Sequence, residues 1–203
     1  MEGTSLRRCD LAPDPLQQFD RWFREAREAD QPEPEAMSLA TAGSDGRVSV
    51  RFVLLRGFDE RGFVFYTNRS SRKAGEIGSN PWAAMAFRWH AVDRQVRVSG
   101  PITLVDDEES DSYFASRPRG SQIGAWASEQ SRPAASRDEI DRRIGDFTAR
   151  FEGGDVPRPA WWGGYRVVPH EVEFWQQGPF RLHDRFRYLA APDTSWRIDR
   201  LFP

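Results

Sequence analysis

The feature that most limits the fold of this chain is the stretch between residues 37 and 105, where short runs of β-branched and aromatic residues are separated by turns. Residues 37–42 read as a strand, Ser44-Asp45-Gly46 as a hairpin turn, and 47–56 as the return strand. Asp59-Glu60-Arg61-Gly62 turns the chain again into a strand at 63–67. A short helix at 70–79, stopped by Asn80-Pro81, precedes strands at 82–89 and 94–105. Strands in series with helices set between or outside them point to an antiparallel barrel in an α+β domain.

The flanks extend this plan. Residues 1–13 lack periodicity and are expected to form an arm before a single domain at 14–203. Asp14-Pro15 has the form of an N-cap followed by proline at the first helical position. Leu16, Phe19, Phe23 and Ala26 follow at helical spacing, so a helix is expected to run to about Ala29, ended by Gln31-Pro32-Glu33-Pro34. Helices are expected at 107–116, 121–129 and 137–152, and strands at 165–176, 181–189 and 196–201.

Several function classes fall away. Basic and acidic residues nearly cancel, 29 against 31, leaving no surplus for general nucleic-acid binding. The single Cys9 fits a reducing compartment. The longest uncharged apolar run, 52–55, is too short to span a bilayer, and no apolar leader follows Met1, so a soluble cytoplasmic protein is expected. No Gly-x-Gly-x-x-Gly, Walker loop, His-Glu-x-x-His or Gly-x-Ser-x-Gly occurs. His90, His170 and His183 lie far apart, so no metal site is expected.

What remains is a set of cation-rich segments among aromatics. In Arg181-Leu182-His183-Asp184-Arg185, a regular strand would put Arg181, His183 and Arg185 on one face, an anion-seeking surface close to Phe174 and Trp175. In Ser70-Ser71-Arg72-Lys73, the two cations fall in the first turn of a helix, where the macrodipole disfavours them unless a phosphate is bound. Lys73 is the only lysine of the chain, all other basic residues being arginine. Gln95, Arg97 and Ser99 alternate with Val96 and Val98 as on a half-buried strand. Tyr113 and Arg117, four apart, share a helical face if the helix persists; with Ser121 they suit a phosphate grip, and a surface Tyr–Arg stack fits the spacing equally well. Arg51 and Arg56 have opposite parity, which on one strand requires a bulge or approach from two sides.

Taken in order, Arg51-Phe-Val-Leu-Leu-Arg56, Phe65-Tyr-Thr-Asn68, Ser71-Arg-Lys73, Arg94-Gln-Val96, Tyr113-Phe-x-Ser-Arg117-Pro-Arg-x-Ser121, Gln130-Ser131, Trp161-Trp-Gly-Gly-Tyr165, Glu173-Phe-Trp175, Arg181-Leu-His183-Asp-Arg185 and the closing Arg200-Leu-Phe-Pro203 resemble the pyridoxamine 5'-phosphate oxidase family. The resemblance implies an antiparallel Greek-key split β-barrel with flanking helices, and a homodimer with FMN at the subunit interface. It implies FMN contacts from Arg51, Tyr66, Thr67, Arg72, Lys73, Gln95, Gln130, Ser131, Trp175 and Arg185. Substrate contacts are implied for Arg56, Tyr113, Arg117 and Ser121 at a phosphate, and for Arg181 and His183, the implied catalytic pair, near the ring. The implied reaction oxidises pyridoxamine or pyridoxine 5'-phosphate to pyridoxal 5'-phosphate, with oxygen reduced to peroxide. Position 56, usually lysine in this family, is arginine here. The rival readings are an oxidase of the same fold acting on another reduced aromatic, such as a phenazine precursor, and a non-catalytic flavin- or pyridoxal-phosphate-binding protein.

Overall fold

A computed structural model describes residues 5–193 and 195–203. The elements run α1 (Pro15–Glu28), β1 (Ala36–Ala42), β2 (Val48–Leu54), β3 (Gly57–Asp59), β4 (Gly62–Asn68), α2 (Arg72–Ser79), β5 (Trp82–Trp89) and β6 (Arg94–Leu104). They continue with α3 (Asp107–Ser116), α4 (Arg119–Ala127), α5 (Arg137–Arg150), β7 (Trp162–Val167), β8 (Glu171–Gln176), β9 (Asp184–Ala190) and β10 (Trp196–Leu201). All strand pairs are antiparallel, in the order β10-β9-β8-β6-β5-β1-β2, with β7, β4 and β3 branching from β6.

Local chemistry accounts for most of these elements. Asp14 caps α1, its carboxylate accepting from Leu16 N at 2.6 Å, with Pro15 in the first turn. The face bearing Phe19, Trp22, Phe23 and Ala26 is buried. Phe19 meets the rings of Phe58, Phe63 and Phe87 at 4.9–5.1 Å, which locks α1 over the barrel mouth. On β6, Val96 and Val98 point into the core while Arg97 is exposed, as the alternation predicts. Of the arm expected at 1–13, residues 1–4 lie outside the described residues, and the rest is tied down. Leu6 and Leu11 join the main core, and Asp184 accepts from Ser5 Oγ and Leu6 N.

β6 belongs to both halves of the barrel. Its first part, Arg94 to Ser99, pairs with β8, whereas Ile102 to Leu104 pairs with β7. The strand changes partners at Gly100-Pro101, against which the β7–β8 link lies. Val168 N donates to Pro101 O at 2.8 Å and His170 N to Ser99 O at 2.9 Å. A Cβ on Gly100 would stand 1.9 Å from Val168 O, so only glycine admits this approach.

Two expectations are corrected. The single strand expected at 165–176 is two strands, because the ladder along one edge of β6 is interrupted at Val168-Pro169-His170, where the register shifts by one residue and Pro169 cannot donate. The strand expected from 181 begins only at Asp184. Pro179–Arg181 forms a single 3-10 turn, with Phe180 at φ 56° and Arg181 at φ 64°. Arg181, His183 and Arg185 therefore do not share a strand face.

Replacing Gly100 with alanine forces backbone apart at the barrel corner. We expect a loss of roughly 2–3 kcal/mol and a fall in Tm of roughly 5–10 °C. Gly57→Ala, whose Cβ meets nothing within 4 Å, serves as the near-neutral control in the same thermal denaturation.

Candidate active site

Between β2, β4, α3 and α4 lies a cleft of about 930 Å³ whose walls include Arg51, Arg56, Tyr66, Thr67, Lys73, Tyr113, Arg117, Ser121 and Gln130. The parity problem of Arg51 and Arg56 disappears here. The β2 ladder ends at Leu54, Leu55 turns into the core, and Arg56 sits in the link to β3 with its N–H donating to Val64 O at 2.8 Å.

One end of the cleft is cationic. Lys73, in the first turn of α2, is buried, and its ammonium donates to Thr67 Oγ1 at 3.0 Å, Gln130 Oε1 at 2.9 Å and Ser71 Oγ at 3.3 Å. All three partners are neutral. Burial, followed by the neighbouring Arg51 charge, pushes the Lys73 amine down to about 8, with Glu76 pulling the other way. Ser71 precedes α2 without capping it through its side chain. Arg51 reaches the same corner, donating to Leu39 O at 3.2 Å and to Thr41 Oγ1 at 2.6 Å. The set of donors is that of an oxyanion site of high charge, and phosphate fits it.

The other end is aromatic. Tyr66 stacks on Tyr113 at 4.1 Å and on Trp162 at 5.3 Å, the rings within 15° of parallel. Tyr66 faces Gly164 across the β4–β7 ladder, and a Cβ there would stand 2.8 Å from the Tyr66 ring. Burial, together with the Glu109 charge, raises the Tyr66 hydroxyl to about 12, so it stays a phenol and a donor. Arg117 caps the end of α3 with its guanidinium 4.7 Å from the Trp162 ring, and its Nη1 is buried with no protein partner. Burial lowers the Arg117 pKa, and the Arg56 charge works in the same direction. A buried cationic nitrogen without an acceptor marks where an anion belongs.

The remaining residues of the expected site lie elsewhere. Gln95 on β6 faces Trp175 on β8, and Trp175 faces Arg185 on β9. Trp175 packs against the His183 ring at 4.5 Å, and Arg185 Nε donates to the buried Glu173 at 2.7 Å. His183 Nδ1 accepts from Gly178 N at 3.3 Å; a Cβ on Gly178 would clash with Leu182 O at 2.1 Å, so glycine permits this tight loop. None of Gln95, Trp175, Arg181, His183 or Arg185 lines the large cleft. Arg72 lies at the outer edge of the phosphate corner, bonded to Glu76 at 2.8 Å, and Ser131, at φ 76°, follows Gln130 in the loop after α4. Trp162, Glu76 and Glu173 belong to these clusters, although no role was assigned to them from sequence. Trp162 stood within a recognised motif, and the carboxylates gave no signal beyond ordinary ion-pair spacing.

The cleft opens onto β2, where Val48, Val50, Phe52 and Leu54 form an exposed apolar row, Phe52 being 80% exposed. Phe52 and Leu54 also line the cleft. No helix among the described residues is long and apolar enough to cross a membrane.

The profile described as pyridoxamine 5'-phosphate oxidase matches residues 23–150, and that described as the pyridoxine 5'-phosphate oxidase C-terminal dimerisation region matches 162–203. The chain is 59% identical to the pyridoxine/pyridoxamine 5'-phosphate oxidase of Rubrobacter xylanophilus, over 94% of this chain and 88% of that protein. It is 55% identical to the enzyme of the same name from Cupriavidus pinatubonensis, over 98% and 93%. Among solved structures, PhzG from Burkholderia lata in complex with tetrahydrophenazine-1-carboxylic acid superposes with a TM-score of 0.92 at 33% identity, covering 98% of both chains. A pyridoxamine 5'-phosphate oxidase-related FMN-binding protein from Nostoc punctiforme shares the fold, with a TM-score of 0.74 at 18% identity over 94% of this chain and 98% of that one. With its split-barrel sheet and both family matches in place, the chain belongs to the pyridoxamine 5'-phosphate oxidase family.

Proposed function

We propose that the protein is a cytoplasmic FMN-dependent pyridoxine/pyridoxamine 5'-phosphate oxidase whose site is completed by a second copy of the chain. The observation that carries this is the buried Lys73 ammonium, paired only with neutral oxygens, at one end of a cleft whose other end holds the unpaired Arg117 Nη1. Two anion sites joined by stacked aromatics suit a phosphorylated cofactor beside a phosphorylated planar substrate. FMN, when bound, would supply the two-electron redox chemistry that links oxidation of the substrate to reduction of oxygen to peroxide.

The chain's own residues hold and orient. Lys73, Arg72, Arg51 and Thr67 bind the cofactor phosphate, with Gln130 and Ser131 closing over it. Arg117, Tyr113 and Ser121 take the substrate phosphate; Arg56 beside them offers a planar, bidentate grip where a lysine offers a point charge. A second copy seated on the apolar row of β2 covers it and brings in Gln95, Trp175 and Arg185 toward the flavin and Arg181 and His183 toward the substrate. With Nδ1 accepting from Gly178 N–H, His183 leaves Nε2 to donate to the bound pyridine, while Arg181 sets the charge beside the reacting carbon.

Mixing FMN-loaded protein anaerobically with pyridoxamine 5'-phosphate tests the assignment. The flavin spectrum should bleach and recover on admission of oxygen with formation of peroxide. Binding without bleaching would leave a carrier, and bleaching only by a dihydrophenazine would indicate another oxidase.

Arg181→Ala or His183→Ala should slow oxidation by roughly 10-fold or more, since a charge-assisted contact contributes about 1.5–3 kcal/mol, while FMN is retained. Arg185→Ala should instead weaken FMN. Equal flavin loss in all three would remove the division of roles.

The titration of Lys73 gives a pH signature. A bound phosphate dianion holds the Lys73 proton more tightly than the free site, whose pKa is about 8. Raising the pH through 8 therefore removes a proton that binding must restore, so FMN affinity should fall above pH 8, by up to roughly tenfold per unit. The phosphate, with a pKa near 6, is already a dianion there. Fluorescence titrations from pH 7 to 9.5 should show this slope in the wild type and lose it in Lys73→Arg.

A further inference from the structure

The phosphate corner contains a carboxylate. Glu76, on the inner face of α2 one turn after Arg72, places Oε2 2.6 Å from Thr41 Oγ1 and 2.5 Å from Ser49 Oγ, both of which donate to it. Arg51 Nη2 lies 3.2 Å from the same oxygen, and Arg72 Nε donates to Oε1 at 2.8 Å. Arg51 Nη2 also donates to Ser49 Oγ. One carboxylate thus ties β1, β2 and α2 to the two arginines that flank Lys73. An anion placed beside an anion site costs binding energy by simple Coulomb repulsion, so its presence there needs a reason.

We propose that Glu76 is a positioning residue for the cofactor phosphate: it fixes the guanidinium groups of Arg51 and Arg72 in the orientation that receives the phosphate. This rests on the FMN assignment above. Arg51, Arg72 and Lys73 carry three positive charges; with the negative charge of Glu76 the corner holds a net charge of +2, the complement of a phosphate dianion. Without Glu76, three cations would face one another before any phosphate arrives. Long arginine side chains would then relax apart, and that freedom would have to be lost again on binding. Although burial works against its charge, the hydrogen bonds from Ser49, Thr41, Arg72 and Arg51 pull the Glu76 carboxyl down to about 2, so it is anionic at neutral pH.

The alternative role is purely structural, a staple between α2 and the β1–β2 hairpin. The two roles separate when the apoprotein is titrated with FMN and with riboflavin, which lacks the phosphate. Glu76→Ala should weaken FMN by roughly 10-fold or more while changing riboflavin affinity less than about twofold. Glu76→Gln, which keeps the shape and one acceptor oxygen, should lose roughly three- to tenfold for FMN alone. The Gln variant also keeps the test open should the alanine variant fail to fold. Equal weakening of FMN and riboflavin would assign Glu76 to the staple and overturn the proposal, as would unchanged FMN affinity. Tighter FMN binding would overturn it too, by showing that repulsion outweighs orientation. If the wild type itself fails to prefer FMN over riboflavin, the cofactor assignment fails first, a result distinct from any of these.

Discussion

Everything in this molecule hangs on one strand changing partners. β6 can serve two sheets only because Gly100 lets the β7–β8 link press against its backbone. Before that point β6 carries Gln95 opposite Trp175; beyond it, pairing with β7 aligns Gly164 with Tyr66 across the neighbouring ladder. The aromatic floor of the cleft and the Trp175–His183 cluster are thus set in place by opposite ends of the same strand. The strand order also keeps them apart within one chain, because β2 and β9 lie toward opposite ends of the main sheet. Separation of the two clusters within one chain follows from topology, and the proposed function relies on a second copy to bring them together.

Charge is managed differently inside and outside. The pairs along α5, such as Arg137–Asp141, lie in water and add little. Inside, Glu173 is almost wholly buried yet bonds both Arg97 and Arg185, and Arg166 bridges Asp59 and Glu109. Breaking one partner of such a buried set costs far more than removing a surface pair, because the other charge is left stranded. Among these groups Lys73 stands apart, buried with neutral acceptors, and that imbalance is a local instability that a ligand can relieve.

Much of this was legible in the sequence where local chemistry decides. Asp14-Pro15 announced α1, and the Val96–Val98 alternation announced the buried face of β6. The breaks at 168–170 and 179–183 were hidden for physical reasons. Val-Val-Pro-His is extended in either fold, and positive φ at Phe180 and Arg181 is imposed by the loop, without the glycine that usually signals it. The family motifs named residues for one site, but no local pattern could say that they occupy two clusters. That depends on strand order. Glu76 was invisible for a related reason: four residues from Arg72 it resembles a solvent-facing helix pair, and the hydroxyls that give it meaning come from β1 and β2.

A chain with a single lysine, buried and with its amine lowered to about 8, has an unusual chemical handle. Mildly alkaline solution turns that amine into a nucleophile while the arginines stay protonated, so acylating reagents have one internal target. Access to it runs through the cleft that a bound phosphate fills. The rate of amide formation at Lys73, the only lysine of the chain, thereby becomes a gauge of vacancy, read by mass once the exposed Cys9 thiol is blocked.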